Sequence, residues 1–287
     1  SSLAHKSSSL SSKTMKVAVL GSGSRGNSIF VRAGETRILI DAGFSGREIA
    51  GRLETFDVDP DLIDGIIVTH DHRDHTKGIG VFARRYGSPI YMTSPTRSAC
   101  SQFFRGGETI VEYDPARTFT VGDLSIEPFA IIHDAADPVG LSLLDESSGL
   151  RLGIATDLGR PTAQLRQKLS RCNLLILEAN HDEVMLHNSA YPASVRQRIS
   201  SSHGHLSNQA AARLAIELLH PHLVGIVLAH LSSECNRPNL ARSVIWEALK
   251  KAGWSGHLEV ALQDYPTALL DIEKLRLQSG SSQLNLL

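Results

Sequence analysis

Seven consecutive residues, Thr69-His70-Asp71-His72-Arg73-Asp74-His75, constrain this chain more than any other part of it. They follow Gly65-Ile66-Ile67-Val68, a β-branched run of the kind that makes a buried strand, so the histidines begin where the strand stops and the backbone is free to curl. A tight loop there aims alternate side chains at two neighbouring points. Imidazole nitrogens combined with carboxylate oxygens suit Zn²⁺, Mn²⁺ or Fe²⁺, whereas an all-oxygen set suits Mg²⁺ or Ca²⁺. The competing explanation is a surface loop that is merely rich in histidine. Three histidines and an aspartate in His-x-His-x-Asp-His spacing, directly after a buried strand, favour a cradle for two divalent transition-metal ions.

The rest of the chain bounds what such a cradle can serve. A chain of 287 residues, 41% of them hydrophobic, buries a full core, and the absence of a linker favours one domain over residues 15–287. Ser1 to Thr14 is serine-rich without hydrophobic period and Met15 reads as the natural start, so 1–14 is expected to be an expression-tag remnant. A formal net charge of −1 gives no long-range pull on polyanions, and any nucleic-acid contact has to be local. Cys100, Cys172 and Cys235 are too scattered for a disulfide framework or a zinc-thiolate motif, which points to a reducing, cytoplasmic setting. Cys235, close behind His230, is either an extra ligand or an inert buried thiol. No apolar stretch approaches the roughly 20 residues of a membrane span, so no membrane partner is expected. Homo-oligomerisation is left open.

Val17-Ala18-Val19-Leu20 reads as a strand that breaks at Gly21-Ser22-Gly23-Ser24-Arg25-Gly26-Asn27. That loop mixes residues allowing close backbone approach with hydroxyl and amide donors, so Ser22, Ser24 and Asn27 are candidates for holding a phosphate oxygen. Two strands then lead to Asp41, Ser45 caps a helix carrying Ile49 and Leu53, and a further helix follows His75. Arg84 and Arg85 read as a solvated basic face. Later strands end at His133, at Asp157, at Glu178-Ala179-Asn180-His181-Asp182 and at His230. Glu178 to Asp182 are expected at a cleft rim, with His181 either catalytic or held in a local hydrogen bond. The segment through Tyr191, Arg196 and Arg198 either tracks a phosphate backbone or is a solvated face. His205 stands just before a helix capped by Ser207, where outward-pointing N–H groups favour an anion; Ser207 and Asn208 are candidate phosphate contacts. The last strand is expected at Leu258 to Ala261, with fraying from Ser279.

The His-x-His-x-Asp-His run resembles the signature of the metallo-β-lactamase-fold hydrolases, and the likeness covers nearly the whole chain from Met15. Within that superfamily, Gly21 to Ser28, His133 to Gly140, Glu178 to Asp182 and Gly204-His205-Leu206-Ser207-Asn208 resemble the YycJ (WalJ) group. The resemblance implies an α/β (α+β) fold, an αββα four-layer sandwich with metals at one rim. It implies that His70, His72 and His133 hold one ion, that Asp74, His75 and His230 hold a second, and that Asp157 bridges them. It implies that Asp41 supports the histidine loop by hydrogen bonds rather than binding metal. The implied activity is nucleic-acid phosphodiester cleavage, a 5′-to-3′ exonuclease on DNA, with Asp74 orienting the nucleophile and His205 protonating the leaving oxygen. The large insertion between Asp157 and His205 that marks β-CASP nucleases such as RNase J is missing, as is a basic arm of the tRNase Z kind. Two other enzymes remain open: a small-molecule metallohydrolase for a cyclic phosphodiester or thioester, which 5% aromatic content mildly favours, and an RNA-processing nuclease. A metal-containing scaffold without turnover is disfavoured by the intact ligand set.

Overall fold

The computed structural model describes residues 14–284, with side chains to residue 279. The stretch expected to be a tag remnant lies, up to residue 13, outside the described residues. Thr14, which the sequence places with it, is buried and donates to Asp271 Oδ1 at 2.8 Å.

The chain runs twice from strands into helices. Its first half contains β1 (Met15–Gly21), β2 (Ser28–Ala33), β3 (Thr36–Ile40), α1 (Gly46–Glu54), β4 (Gly65–Ile67), α2 (Arg73–Thr76), α3 (Ile79–Tyr86), β5 (Ile90–Met92), α4 (Ser94–Ala99) and β6 (Ile110–Glu112). The second contains β7 (Phe119–Val121), β8 (Leu124–Ala130), β9 (Val139–Asp145), β10 (Arg151–Ala155), α5 (Ala163–Leu169), β11 (Leu174–Glu178), α6 (Glu183–His187), α7 (Ala193–Ser200), α8 (Asn208–Glu217), β12 (Gly225–Ala229), α9 (Pro238–Lys251) and β13 (His257–Val260). β14 (Leu270–Asp271) and α10 (Ile272–Leu284) return to the first half, β14 pairing with the outer edge of β1. Helix therefore continues past Ser279, where fraying was expected.

The two sheets run β14-β1-β2-β3-β4-β5-β6 and β13-β12-β11-β10-β9-β8-β7. Period-two alternation assigns their faces. Val17, Val19, Val31, Ile38 and Ile40 meet Ile126, Leu141, Leu143, Leu152, Ile154 and Ile176 in a core between the sheets. The alternate residues Leu20, Phe30, Leu39 and Ile66 face outward onto Ile49 and Leu53 of α1 and Ile79 and Phe82 of α3. Leu175, Leu177, Ile226 and Leu228 do the same against α5, α8 and α9. Three apolar layers separate four layers of structure, which is the αββα sandwich.

Local signals in the sequence set several helix ends. Ser45 accepts from the Glu48 amide while Glu48 Oε2 accepts from the Ser45 amide, a capping box that starts α1. Arg84 is not part of a free basic face: it pairs with Glu108 and donates to the Phe103 carbonyl.

Candidate metal centre

β3 and β4 are parallel, as are β10, β11 and β12, and β8 runs in the direction of β10 through the antiparallel β9. Within each sheet their C-terminal ends share one edge, the two edges meet at Asp157, and each strand delivers its last or following residues there: Asp41, the histidine loop, His133, Asp157, Glu178 and His230. Asp41, Asp157 and His230 take φ values of 61°, 55° and 57°, three of the four non-glycine left-handed positions among the described residues. Aspartate and histidine are among the side chains that tolerate this region, and the turn swings each of them back over the sheet edge. After His72 one turn of helix, α2, redirects Asp74 and His75 to a second point. Gly43 lets the chain pass close beneath it: a Cβ there would lie 1.6 Å from the Asp74 carbonyl oxygen.

Each histidine is fixed from behind, and the fixing partner decides which nitrogen faces the centre. The Thr69 hydroxyl donates to Asp41 Oδ2 at 2.7 Å, so it accepts from His70 Nδ1 at 3.0 Å and leaves His70 Nε2 bare. His72 Nε2 donates to the Asp134 carbonyl at 2.8 Å and His133 Nδ1 to the Gly204 carbonyl at 3.2 Å. His75 Nδ1 donates to Asp41 Oδ2 at 2.7 Å, and His230 Nδ1 to Glu178 Oε1 at 2.9 Å. Five imidazole lone pairs thus converge in two donor groups, His70, His72, His133 with Asp157, and Asp74, His75 with His230; a third group, Asp157, Glu178, His205 and His230, shares Asp157 with the first and His230 with the second. Asp157 lies between the first two: Oδ1 is 3.9 Å from His70 Nε2, 3.8 Å from His133 Nε2 and 3.5 Å from His230 Nε2, while Oδ2 is 3.1 Å from His75 Nε2.

His70 Nε2 and Asp157 Oδ2 are buried without a hydrogen-bond partner, a costly state for polar atoms that a cation resolves. Burial pushes the His70 imidazole well below its usual range, so its lone pair is available. Burial also pulls on His230, but Asp157, Asp74 and Glu178 outweigh it and raise that imidazole to about 10. For Asp157, burial is outweighed by His230, His75 and His70, which hold it well below the carboxylate range. Nitrogen and carboxylate donors of this kind suit divalent metal binding. Cys235 is buried and stands outside these groups, as an inert thiol does.

Of the candidates read from the sequence, His70, His72, Asp74, His75, His133, Asp157 and His230 come together, with Asp41 behind them. His205 joins them, its ring centroid 5.1 Å from that of His133 and 5.2 Å from that of His230. Other candidates serve differently from expectation. The Ser22 hydroxyl accepts from the His230 amide at 2.8 Å and donates to Asn27 Oδ1 at 2.9 Å, so it positions a donor instead of facing a phosphate. Asn27 donates to Asp74 Oδ2 at 3.1 Å and approaches His75 Nε2 at 3.1 Å, which braces the second group. Ser24 alone of that loop's candidates is exposed. Asn208 is fully buried in a reciprocal amide pair with Asn236, at 3.0 and 2.9 Å, and is structural. Ser207 caps α8 and donates to Glu183.

Sequence reading placed Glu178 at the rim, yet it lies beneath the centre with no exposed surface. Oε1 accepts from His205 Nδ1 at 2.7 Å as well as from His230, and Oε2 accepts from the amides of Leu158 and Leu206. Burial opposes its charge, but His205 and His230 hold its carboxyl down at about 2. The available signal was its place at the end of an apolar strand, as for Asp157.

Three comparisons accord with this architecture. Residues 36–226 match the model of the beta-lactamase superfamily domain. The chain is 34% identical over 241 residues to the exodeoxyribonuclease YycJ of Bacillus anthracis, covering 83% of this chain and 90% of that one. It is 33% identical over 208 residues to the exodeoxyribonuclease WalJ of Streptococcus pneumoniae serotype 2, covering 71% and 77%. Among solved structures, the metallo-beta-lactamase fold protein YhfI from Bacillus subtilis superposes with a TM-score of 0.68 at 20% identity, over 88% of this chain and 99% of that one.

Proposed function

The chain belongs to the beta-lactamase superfamily and is a metal-dependent hydrolase, and from that premise we propose that it is a nuclease, a 5′-to-3′ exonuclease on DNA. The observation that carries the reading is His205. It stands beside both donor groups, its Nδ1 is fixed by the buried Glu178, and its Nε2 is left toward the cleft. A proton donor there serves a reaction that expels an alkoxide, as phosphodiester hydrolysis does. The identity to two bacterial exodeoxyribonucleases over most of the chain supports the choice of DNA.

In this reading His70, His72 and His133 would hold one divalent ion and Asp74, His75 and His230 a second, with Asp157 within reach of both groups. Divalent ions held there would supply Lewis acidity, lowering the pKa of water toward neutrality and drawing off phosphate charge. Asp74, partly exposed, accepts a hydrogen bond from the attacking water and orients it in line with the scissile bond. A bond forms from the water oxygen to phosphorus, the bond from phosphorus to the leaving oxygen breaks, and the water's proton passes to solvent. His205 gives its proton to the leaving oxygen and is recharged through the open cleft. Glu178 keeps the His205 ring aligned through the 2.7 Å hydrogen bond to its Nδ1. Residues 15–287 act as one hydrolase domain. The three buried free cysteines are consistent with a reducing, cytoplasmic setting. Among the described residues no helix is long and apolar enough to cross a membrane.

The test is metal analysis followed by assay on end-labelled duplex DNA, single-stranded RNA, bis(4-nitrophenyl) phosphate and a thioester. The expected result is about two metals per chain, mononucleotide release from the 5′ end of DNA, and activity that falls steeply with salt. Hydrolysis of the thioester alone would overturn the reading. Full turnover in His205→Ala with both metals retained would remove His205 from its role.

A further inference from the structure

A cavity of about 640 Å³ shares His205 with the metal centre and extends from it between α6, α7 and the first turns of α8. Nothing in the reaction described so far uses it. We propose that it seats the terminal nucleotide of the substrate, the one whose O3′ is the leaving oxygen, with its 5′-phosphate toward Arg196 and Arg213.

This rests on the phosphodiesterase reading and specifies which part of the substrate lies on the His205 side. When the bond from phosphorus to O3′ breaks, O3′ takes a proton from His205, so the nucleotide that leaves has to be adjacent to that ring. The volume falls in the range of about 300–1,000 Å³ typical of small-molecule sites, which suits one nucleotide and not a duplex.

The walls match the parts of a nucleotide. Leu186, Leu206 and Ala210 supply an apolar surface for sugar and base. Arg213 is exposed and makes no hydrogen bond or ion pair among the described residues, and Glu183, the one carboxylate lining the cavity, accepts from the Ser207 hydroxyl instead. Arg196 Nη1 is tied to the carbonyls of Ser189 and Tyr191 at 3.3 and 3.0 Å, which fixes a guanidinium fork whose remaining donors suit a phosphate. His181, only 2% exposed, lines the same cavity. Asn180 donates through Nδ2 to the His230 carbonyl at 2.9 Å, so its Oδ1 accepts from His181 Nδ1 at 3.3 Å. The other ring nitrogen of His181 keeps its lone pair for a hydroxyl or amine of the ligand. A seat for one nucleotide beside the proton donor accounts for release of single nucleotides from an end.

The experiment is a calorimetric titration of the metal-loaded protein with thymidine 5′-monophosphate and, separately, with inorganic phosphate. Inorganic phosphate can reach the metal centre or the two arginines, but only the nucleotide also fills the cavity, so it is expected to bind at least about tenfold more tightly. Arg213→Glu and the cavity-filling Ala210→Phe are expected to abolish that advantage. Arg171→Glu, before β11 at the opposite end of the sheet, is expected to keep it. Equal affinity for the two probes, or an advantage undiminished in both cavity variants, would overturn the proposal. Failure of the phosphodiesterase reading has a different signature: no cleavage of DNA or of bis(4-nitrophenyl) phosphate by the wild type, whatever the titration shows.

Discussion

The two donor groups share Asp157 and differ in what stands behind their histidines. Around His70, His72 and His133 the backing atoms are uncharged oxygens, the Thr69 hydroxyl and the carbonyls of Asp134 and Gly204. Around His75 and His230 they are the carboxylates of Asp41 and Glu178, and Asp74 adds another carboxylate in front. The electrostatic consequences are opposite. Burial lowers His70 and His133. In His75 and His230 burial is outweighed, by Asp157 and Asp41 in the first and by Asp157, Asp74 and Glu178 in the second, and both are raised. One sheet edge thus sets imidazoles backed by uncharged oxygens beside imidazoles backed by carboxylates, and metal ions held by the two groups are expected to differ in affinity.

The comparison breaks most completely at the residue the groups share. Asp157→Ala is expected to empty both sites and reduce hydrolysis to background; metal content by plasma emission would show near zero. If one full equivalent of metal survived, Asp157 would belong to a single site.

Glu178→Gln acts on one group only. It is expected to lower metal affinity at the His230 side by about 10–100-fold while His70, His72 and His133 keep theirs. A two-step metal titration would resolve this, and an equal loss in both steps would argue against separate sites.

Proton linkage sharpens the contrast in the chelated protein. His230 is raised from 6.5 to about 10, so its stabilising contribution is complete below pH 6.5 and disappears as pH climbs through 10. The metal-free protein should therefore melt at falling temperature across that interval, while the metal-loaded protein should not. A flat profile for the chelated sample would mean that the carboxylates do not govern His230.

The smallest effects concern the glycine-serine loop. Ser22→Ala removes the acceptor for the His230 amide and is expected to cost about 1–3 kcal/mol in denaturant unfolding. Ser24→Ala, on an exposed side chain, is expected to leave stability within about 0.5 kcal/mol. A large kinetic defect in Ser24→Ala would restore that loop as a phosphate contact.

How legible each part was in the sequence follows from how local its cause is. The histidine loop is readable because its spacing is contained in one turn after one strand, and the sandwich was legible only through the family resemblance that this loop carries. Glu178 was misplaced because its partners, His205 and His230, are distant in sequence and meet it only through the parallel register of β11 with β12, where Glu178 faces Ala229. Asn208 misled for the same reason: its partner Asn236 comes from the turn before α9. β14 went unread because a two-residue strand carries no period.

Three left-handed turns at Asp41, Asp157 and His230 also set the molecule's tolerance for engineering. At such positions glycine follows the chain's path without a steric penalty and discards a buried ionisable group. Asp157→Gly should therefore keep the chain's path and be catalytically inert, yet after chelation it should melt below its parent, because it removes the carboxylate that raises His75 and His230. At these turns the backbone would accept glycine, and the buried charges paired across the edge are what oppose the exchange.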